Sequence, residues 1–356
     1  MDIIEHLKRA AENNASDLFL VAGALPAARV GGRLSKYGER LSPQDSEALV
    51  QGLYGAAGRD PAGFMSDGDD DFSFSLQGVA RFRINAYRQR GSACLVARVI
   101  PFGVPDAETS HIPAGIMDLA GLDSGMVLVT GAAGSGKSTT QACLVDAINA
   151  SRDAHIVTLE DPIEYLHRNK EGIVSQREIG IDTRTYLSGL SACLRESPDV
   201  ILLGEMRDPE TIQTALTAAE TGHLVIATLH TKGAANAVDR IIDAFPPAQQ
   251  AQVRLQASMV LDTGISQQLL PKAGGGQVPA FEILKFNTAV RNLVREGKTH
   301  QIAQAMDADG MRTQEAYVRD LLDRGLVTAE TAAPFLSHGP ATDAKKTDWR
   351  RRMHGV

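Results

Sequence analysis

The fold of this chain is decided by the run Gly131-Ala132-Ala133-Gly134-Ser135-Gly136-Lys137-Ser138, which fits the phosphate-binding pattern G-x-x-x-x-G-K-[ST] without a mismatch. The apolar, β-branched run Met126–Thr130 before it predicts a buried strand, and Ser138–Ile148 after it predicts a helix with an apolar stripe. This order of elements is needed because glycines let backbone N–H groups turn towards phosphate oxygens at the start of a helix. The run therefore predicts a nucleotide-phosphate site.

Particular residues of this loop have defined tasks. We expect Lys137 to reach the β- and γ-phosphates of ATP and the hydroxyl of Ser138 to bind Mg²⁺. ATP and Mg²⁺ are therefore the predicted cofactors. The other predicted nucleotide-binding residues are Gly131, Ala132, Ala133, Gly134, Ser135, Gly136 and Thr139.

The composition is that of an ordinary globular protein long enough for two domains, with 356 residues, 43% hydrophobic and 22% charged. A net charge of −7 disfavours a broad nucleic-acid-binding surface, so no nucleic-acid partner is expected. No apolar run approaches the length of a transmembrane helix. The scattered cysteines Cys94, Cys143 and Cys193 are too few for a four-cysteine zinc site, and we expect them to be reduced core residues of a cytoplasmic protein.

The first hundred residues predict a small α+β domain. Residues 42–56 predict a helix, because Ser42-Pro43 precedes apolar residues at helical spacing. Phe72–Leu76 and Val79–Tyr87 alternate between apolar and polar residues and predict strands. The acidic run Asp67–Asp71 predicts a solvated turn. Together these segments favour a mixed sheet with one or two helices over residues 1–100.

Beyond residue 100 the pattern predicts an α/β domain. Prolines in 101–117 predict a linker, and the alternating strands and helices of 118–272 predict a mostly parallel sheet covered on both faces. Residues 273–335 are predicted to be largely helical after a last edge strand at Phe281–Leu284, and 336–356 to be a disordered basic tail.

Polar residues follow three further apolar runs, and in a parallel sheet the carboxyl ends of such strands meet at one edge. Hydrolysis of a γ-phosphate needs a carboxylate for Mg²⁺, a carboxylate that orients water and a group that senses the phosphate. Glu205 suits the metal, directly or through water. Glu160 or Glu164 suits the role of orienting the attacking water, and His230 suits the role of sensing the γ-phosphate.

Arginines are the other requirement, because an arginine from a neighbouring subunit often stabilises charge on the γ-phosphoryl group. Arg81 and Arg83 share one face of a predicted strand, and Arg98 lies on another. Arg195 precedes the Glu205 strand. Ion pairs with surface acids are the alternative interpretation of all four.

Four segments together resemble the PilT-like type IV pilus retraction ATPases of the secretion ATPase superfamily, over a match from Ser16 to about Ala333. Thr158–Tyr165 looks like the family's Asp box, and Asp199–Asp208 looks like its Walker B motif. Ala218–Thr231 looks like its His box. The segment associated with retraction in this family is similar to Ala289, Val290, Arg291, Asn292, Leu293, Val294, Arg295 and Glu296.

The resemblance implies a PAS-like N-terminal domain followed by a RecA-like ATPase core with C-terminal helices, assembled as a homo-hexamer. It implies that Glu164 activates water, that Glu205 is the Walker B acid and that His223 and His230 form the His-box pair. It also implies that ATP hydrolysis drives domain rotations, which act on the inner-membrane platform protein of a type IV pilus machine. The motor would then lie at the inner face of the cell membrane and power pilus retraction and twitching motility.

This sequence departs from the family pattern at the phosphate loop and at two supporting positions. Phe19 replaces a usual histidine, Ala132-Ala133 replaces Pro-Thr, and Ser124 replaces an arginine. None of these changes removes a hydrolytic group.

Three other functions are open to a sequence with these motifs. Pilus-assembly and type II or type IV secretion ATPases share the core motifs, but typically carry a four-cysteine zinc site that is missing here. An accessory subunit of the retraction motor with little activity is a second alternative, which intact Lys137, Glu164 and Glu205 disfavour. A RecA-like nucleic-acid translocase is a third, disfavoured by the acidic net charge.

Overall fold

The computed structural model describes residues 2–100, 102–306 and 310–336. The chain divides into two compact units. The first contains the residues up to Val104 together with Ile163–Arg168, and the second contains Pro105–Pro162 and the residues from Asn169 onward. The predicted linker spans this division, and its later residues belong to the second unit. Residues 337–356, for which a disordered tail is predicted, lie outside the described part of the chain.

The first unit is an antiparallel sheet with helices on one face, so the prediction of a mixed sheet was wrong. Its strands lie in the order β3-β2-β1-β6-β5-β4. The elements are α1 (Ile3–Glu12), β1 (Asp17–Leu20), β2 (Ala27–Val30), β3 (Arg33–Lys36), α2 (Pro43–Ala57), α3 (Ala62–Asp67), β4 (Asp69–Leu76), β5 (Ala80–Gln89) and β6 (Ser92–Ile100).

Sequence alternation explains how this sheet buries one face. In β5, Phe82 and Ile84 are fully buried, whereas Arg83 between them is exposed, because successive side chains of a strand point to opposite faces. α2 begins at a capping box in which Ser42 accepts from the backbone N–H of Asp45. Its buried residues Leu49, Val50, Leu53 and Tyr54 share a core cluster with the inner face of the sheet.

The prediction of a solvated turn was wrong for Asp69–Asp71, which begin strand β4. The reason is that Asp70 is held by two partners that sequence pattern did not reveal. Its Oδ2 accepts from the hydroxyl of Tyr54 at 2.8 Å, and its Oδ1 accepts from Nη2 of Arg59 at 2.9 Å. These partners compensate one acid of the run and let the backbone continue as a strand.

The second unit is a seven-stranded sheet with helices packed against it, and its 3₁₀ segments are Asp118–Gly121, Thr299–Ala305 and Ala333–Phe335. Its other elements are α4 (Ala114–Met117), β7 (Gly125–Thr130), α5 (Lys137–Ser151), β8 (His155–Glu160), β9 (Ile173–Glu178), α6 (Tyr186–Cys193), β10 (Val200–Leu203), α7 (Pro209–Glu220), β11 (Leu224–Leu229), α8 (Ala234–Asp243), α9 (Pro247–Val260), β12 (Leu261–Pro271), β13 (Gln277–Lys285), α10 (Thr288–Arg295), α11 (Gln314–Asp323) and α12 (Ala329–Ala332).

The strands of this sheet lie in the order β13-β12-β7-β11-β10-β8-β9. All neighbouring pairs are parallel except the β12–β13 hairpin. Every residue of β10 and β11 is buried, as expected for central strands covered on both faces. The predicted α/β class and the mostly parallel sheet are therefore confirmed, and the predicted edge strand Phe281–Leu284 lies in the second half of the edge strand β13.

Two further expectations concern cysteines and membrane spans. Cys94, Cys143 and Cys193 are free and buried, as predicted. Burial raises the pKa of the Cys143 thiol to about 11, so the group stays protonated near neutral pH.

Among the helices of the described residues, none is both long enough and apolar enough to cross a bilayer.

Candidate nucleotide site

The phosphate loop connects β7 to α5, as predicted from its sequence. Gly131, Gly134 and Gly136 have φ angles of 142°, 74° and 88°, in the region that favours glycine. Two of them are also close to strand β12. A Cβ on Gly131 would clash with the carbonyl oxygen of Gln267, and a Cβ on Gly136 would lie 2.8 Å from the Nε2 of the same residue. A side chain at Gly131 would therefore meet fixed backbone, and a side chain at Gly136 would be strained by the φ angle and would displace the Gln267 amide.

Lys137 is buried against its own loop. Its Nζ donates to the carbonyl oxygens of Gly131 and Ala132, both at 2.9 Å. Among the described residues, the buried hydroxyls of Thr130 and Ser135 have no hydrogen-bond partner. A cradle of glycine backbone, a lysine and unsatisfied buried hydroxyls fits a phosphate group, because each of these groups can donate to phosphate oxygens.

The strands that carry the other candidate groups are neighbours of β7. β11, β10 and β8 follow it in that order across the parallel sheet, so their carboxyl ends lie along the same edge as the loop. His230 follows β11, Glu205 follows β10, and Glu160 is the last residue of β8. The topology thus brings together three of the predicted site residues with the loop.

Glu205 contacts two charged or titratable side chains at this edge. Its Oε2 lies 3.2 Å from Nε2 of His230, and its Oε1 forms an ion pair with Nη2 of Arg207. The hydrogen bond with Glu205, and then the charge of that carboxylate, raises the pKa of Arg207. Sequence reasoning predicted Glu205 and His230 but missed Arg207. The available signal was its place two residues after Glu205, inside the Walker B-like run.

Glu160 is fixed by two polar side chains. Its Oε1 accepts from the hydroxyl of Thr158 at 2.7 Å and from Nε2 of Gln176 at 3.1 Å. The hydroxyl of Tyr186 lies beside Gly204, the residue before Glu205. Burial, and then the charge of Glu205, raises the pKa of Tyr186.

Glu160 and Glu205 thus lie at the ends of the neighbouring strands β8 and β10. Among the described residues, no group of three or more acidic, histidine or cysteine side chains is placed to hold a metal ion by itself. Carboxylate oxygens together with the hydroxyl of Ser138 are nevertheless the kind of donors that suit Mg²⁺.

Glu164 belongs to the segment Ile163–Arg168, which clusters with the first unit. Its side chain is exposed. The role of Glu164 in activating water stays a prediction.

The arginines Arg81, Arg83 and Arg98 also belong to the first unit. Arg83 pairs directly opposite Arg98 in the β5–β6 ladder. Nε of Arg98 donates to Oδ1 of Asp17 at 3.1 Å, and Nη1 of Arg81 donates to the hydroxyl of Ser75 at 3.0 Å. Arg98 thus has the surface ion pair that was the alternative interpretation, and the catalytic roles of the three arginines stay predictions.

His223 and Arg195 lie away from the loop edge. His223 directly precedes β11, whose six residues span about 20 Å, so it lies at the opposite end of that strand from His230. Its Nδ1 is 2.9 Å from the carbonyl oxygen of Ala218. Arg195 lies between α6 and β10, where its Nη1 donates to the carbonyl oxygen of Ser191 at 2.9 Å. The structure does not bring His223 and Arg195 to the sheet edge that carries the loop, and their roles stay predictions.

The retraction-associated segment Ala289–Glu296 forms most of α10, with its two valines fully buried. Nη1 of Arg291 donates to the carbonyl oxygens of Ser258 at 2.7 Å and Met259 at 2.5 Å, and Nε of Arg295 donates to the hydroxyl of Ser258 at 3.1 Å. Because the last carbonyls of a helix lack partners within it, Arg291 satisfies the carboxyl end of α9, and Arg295 adds a hydrogen bond to a side chain there.

Comparison with known proteins extends this description. The family model for type II/IV secretion system proteins matches residues 113–276. The chain is 44% identical over 336 residues to the type IV pilus retraction ATPase PilT of Pseudomonas aeruginosa, which covers 93% of this chain and 97% of that protein. It is 50% identical over 266 residues to a twitching motility protein of Neisseria gonorrhoeae, which covers 74% of this chain and 71% of that protein.

A crystal structure of the pilus retraction motor PilT with bound ADP has the same fold. It matches with a TM-score of 0.86 and 44% identity, over 97% of this chain and 99% of the solved one. This match confirms the predicted arrangement of an N-terminal domain and a RecA-like ATPase core. With such identity over almost its whole length, the chain belongs to the PilT-like type IV pilus retraction ATPases of the type II/IV secretion family.

Proposed function

We propose that this chain binds ATP and Mg²⁺ at the loop 131–138 and hydrolyses the nucleotide to power retraction of a type IV pilus. The observation that carries the chemistry is the position of the Glu205–His230 pair. The pair follows β10 and β11, the two strands next to β7 on the side away from β12. The membership of the chain in the retraction ATPase family supports the role in retraction.

The residues of the loop bind the phosphates in this proposal. Lys137 exchanges the carbonyl oxygens of Gly131 and Ala132 for the β- and γ-phosphates, and the backbone N–H groups of 131–138 donate to phosphate oxygens. Ser138 and Glu205 hold Mg²⁺, with Glu205 acting directly or through water. The bound ion supplies positive charge that offsets the charge developing on the phosphoryl oxygens.

The other predicted residues act on water and on transition-state charge. Glu164 accepts the proton of the attacking water, and Glu160 supports the position of that water from the end of β8. His230 contacts the γ-phosphate and transmits its presence to Glu205. Four arginines are candidates to complete the site of a neighbouring subunit: Arg81, Arg83, Arg98 and Arg195. His223 is a candidate to act beside these arginines.

The working assembly in this proposal is a homo-hexamer. Hydrolysis rotates its domains, and the rotation acts on the inner-membrane platform protein of the pilus machine. The motor is cytoplasmic and is held at the inner face of the cell membrane by that partner. An acidic chain of this kind has no nucleic-acid partner in the proposal.

The test is replacement of the retraction ATPase in a piliated bacterium that lacks its own. We expect the wild-type chain to restore retraction of labelled pili, and Lys137→Ala to leave pili extended at equal protein abundance. Restored pilus assembly in a strain that lacks only the assembly ATPase would instead support the alternative within the same superfamily. Activity only in the presence of a second retraction ATPase would support an accessory subunit.

A further inference from the structure

We infer that Gln267 is a positioning residue that holds the phosphate loop in its binding conformation. This inference rests on the proposed placement of nucleotide phosphates at 131–138. It does not depend on the partner that the motor acts on.

Gln267 reaches the loop from the neighbouring strand. It lies in β12, one residue beyond the pair that Ser266 forms with Thr130 at the end of β7, and the residue is 2% exposed. Its Oε1 accepts from the hydroxyl of Thr140 at 2.8 Å. Thr140 is fully buried in the first turn of α5. The hydrogen bond therefore ties β12 to the helix start that follows the loop.

The same residue lies against both ends of the glycine loop. Its carbonyl oxygen occupies the space that a side chain on Gly131 would need, and its Nε2 occupies the space that a side chain on Gly136 would need. The first and last glycines of the loop thus both lie against Gln267. Gly131 lies against its backbone, and Gly136 lies against its side chain.

A glycine loop needs such a support because glycine has more backbone freedom than any other residue. Binding a phosphate requires the N–H groups of the loop to converge, and a loop that is already held in shape loses less entropy when it binds. Loss of the Gln267 amide would leave the hydroxyl of Thr140 buried without a partner and would remove the polar group that lies beside Gly136. The expected result is weaker nucleotide binding through a looser loop.

The experiment compares ATP affinity and steady-state turnover in Gln267→Met, Thr140→Val and Thr140→Ser. Gln267→Met keeps the length of the side chain without its amide, and Thr140→Ser keeps the hydroxyl that Thr140→Val removes. The matched control is Gln268→Met, because Gln268 directs its Nε2 to Oε1 of Gln314 at 3.2 Å and not to the loop.

We expect Gln267→Met and Thr140→Val each to weaken ATP binding about three- to tenfold and to raise KM more than they lower kcat. The double variant should bind ATP no more weakly than the weaker single variant, because both changes break one hydrogen bond. Thr140→Ser and Gln268→Met should bind as the wild type does. Equal losses in Gln267→Met and Gln268→Met would overturn the inference, as would unchanged affinity in Gln267→Met.

Two further measurements separate the possible failures. If Lys137→Ala binds ATP as tightly as the wild type does, the placement of the phosphates at the loop is contradicted. If Lys137→Ala loses ATP affinity as expected but Gln267→Met does not, only the role of Gln267 is contradicted. If Gln267→Met does not fold, as judged by circular dichroism, the comparison of Thr140→Val with Thr140→Ser decides. Equal affinity in those two folded variants would overturn the inference.

Discussion

Nε2 of His230 lies 3.2 Å from Oε2 of Glu205, and this contact joins the ends of the neighbouring parallel strands β11 and β10. The other carboxylate oxygen of Glu205 is paired with Arg207. The residue proposed to sense the γ-phosphate thus contacts the acid proposed to hold Mg²⁺, and an arginine is paired with the same acid. Substitutions of these three residues therefore give the most specific predictions for ATP turnover.

The first prediction concerns the pair itself. We expect Glu205→Gln and His230→Gln each to lower ATP turnover about 10- to 100-fold, because a partner that orients a metal-binding carboxylate has effects of this size. The double variant should lose little more than the weaker single variant, since groups that act as a unit are not additive. The measurement is steady-state phosphate release, with the exposed His300→Gln as control. Fully multiplicative losses would show that the two side chains act independently.

The second prediction concerns Arg207, whose side chain is 68% exposed while it pairs with the buried Glu205. Because the guanidinium and Mg²⁺ would use the same carboxylate, Arg207→Ala should lower the Mg²⁺ concentration that gives half-maximal ATP turnover. Arg207→Lys keeps a positive charge and should resemble the wild type more closely. A higher or unchanged Mg²⁺ requirement in Arg207→Ala would contradict competition for Glu205.

The third prediction concerns the retraction-associated helix. Arg291→Ala removes two charged hydrogen bonds to the end of α9 and should lower Tm by about 3–12 °C. Arg295→Ala removes one hydrogen bond to α9, at the hydroxyl of Ser258, and one to Oδ1 of Asn292 within α10, and it should lower Tm by less because neither acceptor is a carbonyl at the end of α9. Differential scanning calorimetry of both variants is the measurement. An unchanged Tm in Arg291→Ala would mean that these contacts add nothing to the stability of the second unit.

The fourth prediction concerns pH. Burial lowers the pKa of His6 below its ordinary value of 6.5, against the opposing charges of Asp2 and Glu5, and its Nδ1 lies 2.8 Å from the hydroxyl of Tyr37. As pH falls through 6.5, the unfolded chain binds a proton at His6 that the folded chain does not yet bind. The wild type should therefore lose stability over this range, and the loss should level off below the pKa of the folded state.

The measurement for His6 is Tm from neutral pH to about pH 5 for the wild type, His6→Gln and the exposed control His300→Gln. The fall in Tm should be smaller in His6→Gln than in the other two proteins. An equal fall in all three would show that His6 does not contribute to the pH dependence of stability.

Local patterns in the sequence predicted the parts of the site that depend on neighbours in the chain. The glycine loop, its strand and its helix are contiguous, and Glu205 and His230 follow apolar runs that end at one sheet edge by topology. Gln267 could not be predicted, because it meets Thr140 across 127 residues of sequence. Arg207 was missed because an arginine next to an acid has many uses at a protein surface.

Contacts between distant residues also explain two features of the fold that the sequence pattern does not indicate. The acidic run Asp69–Asp71 enters a strand because Arg59 and Tyr54 hold Asp70, and such tertiary partners override turn propensity. The grouping of Ile163–Arg168 with the first unit depends on contacts such as the bridge between Phe102 and Leu166, which no periodicity in either segment indicates.

The central claim is ATP hydrolysis by a ring in which Glu164 activates water. The most direct measurement is ATP turnover by the wild type, Glu164→Gln and the exposed control Glu171→Gln, with the mass of each assembly determined in the same samples. We expect a hexamer in all three proteins, with turnover lost only in Glu164→Gln while ATP still binds. Turnover that persists in Glu164→Gln, or a wild-type monomer without turnover in the presence of ATP and Mg²⁺, would contradict it.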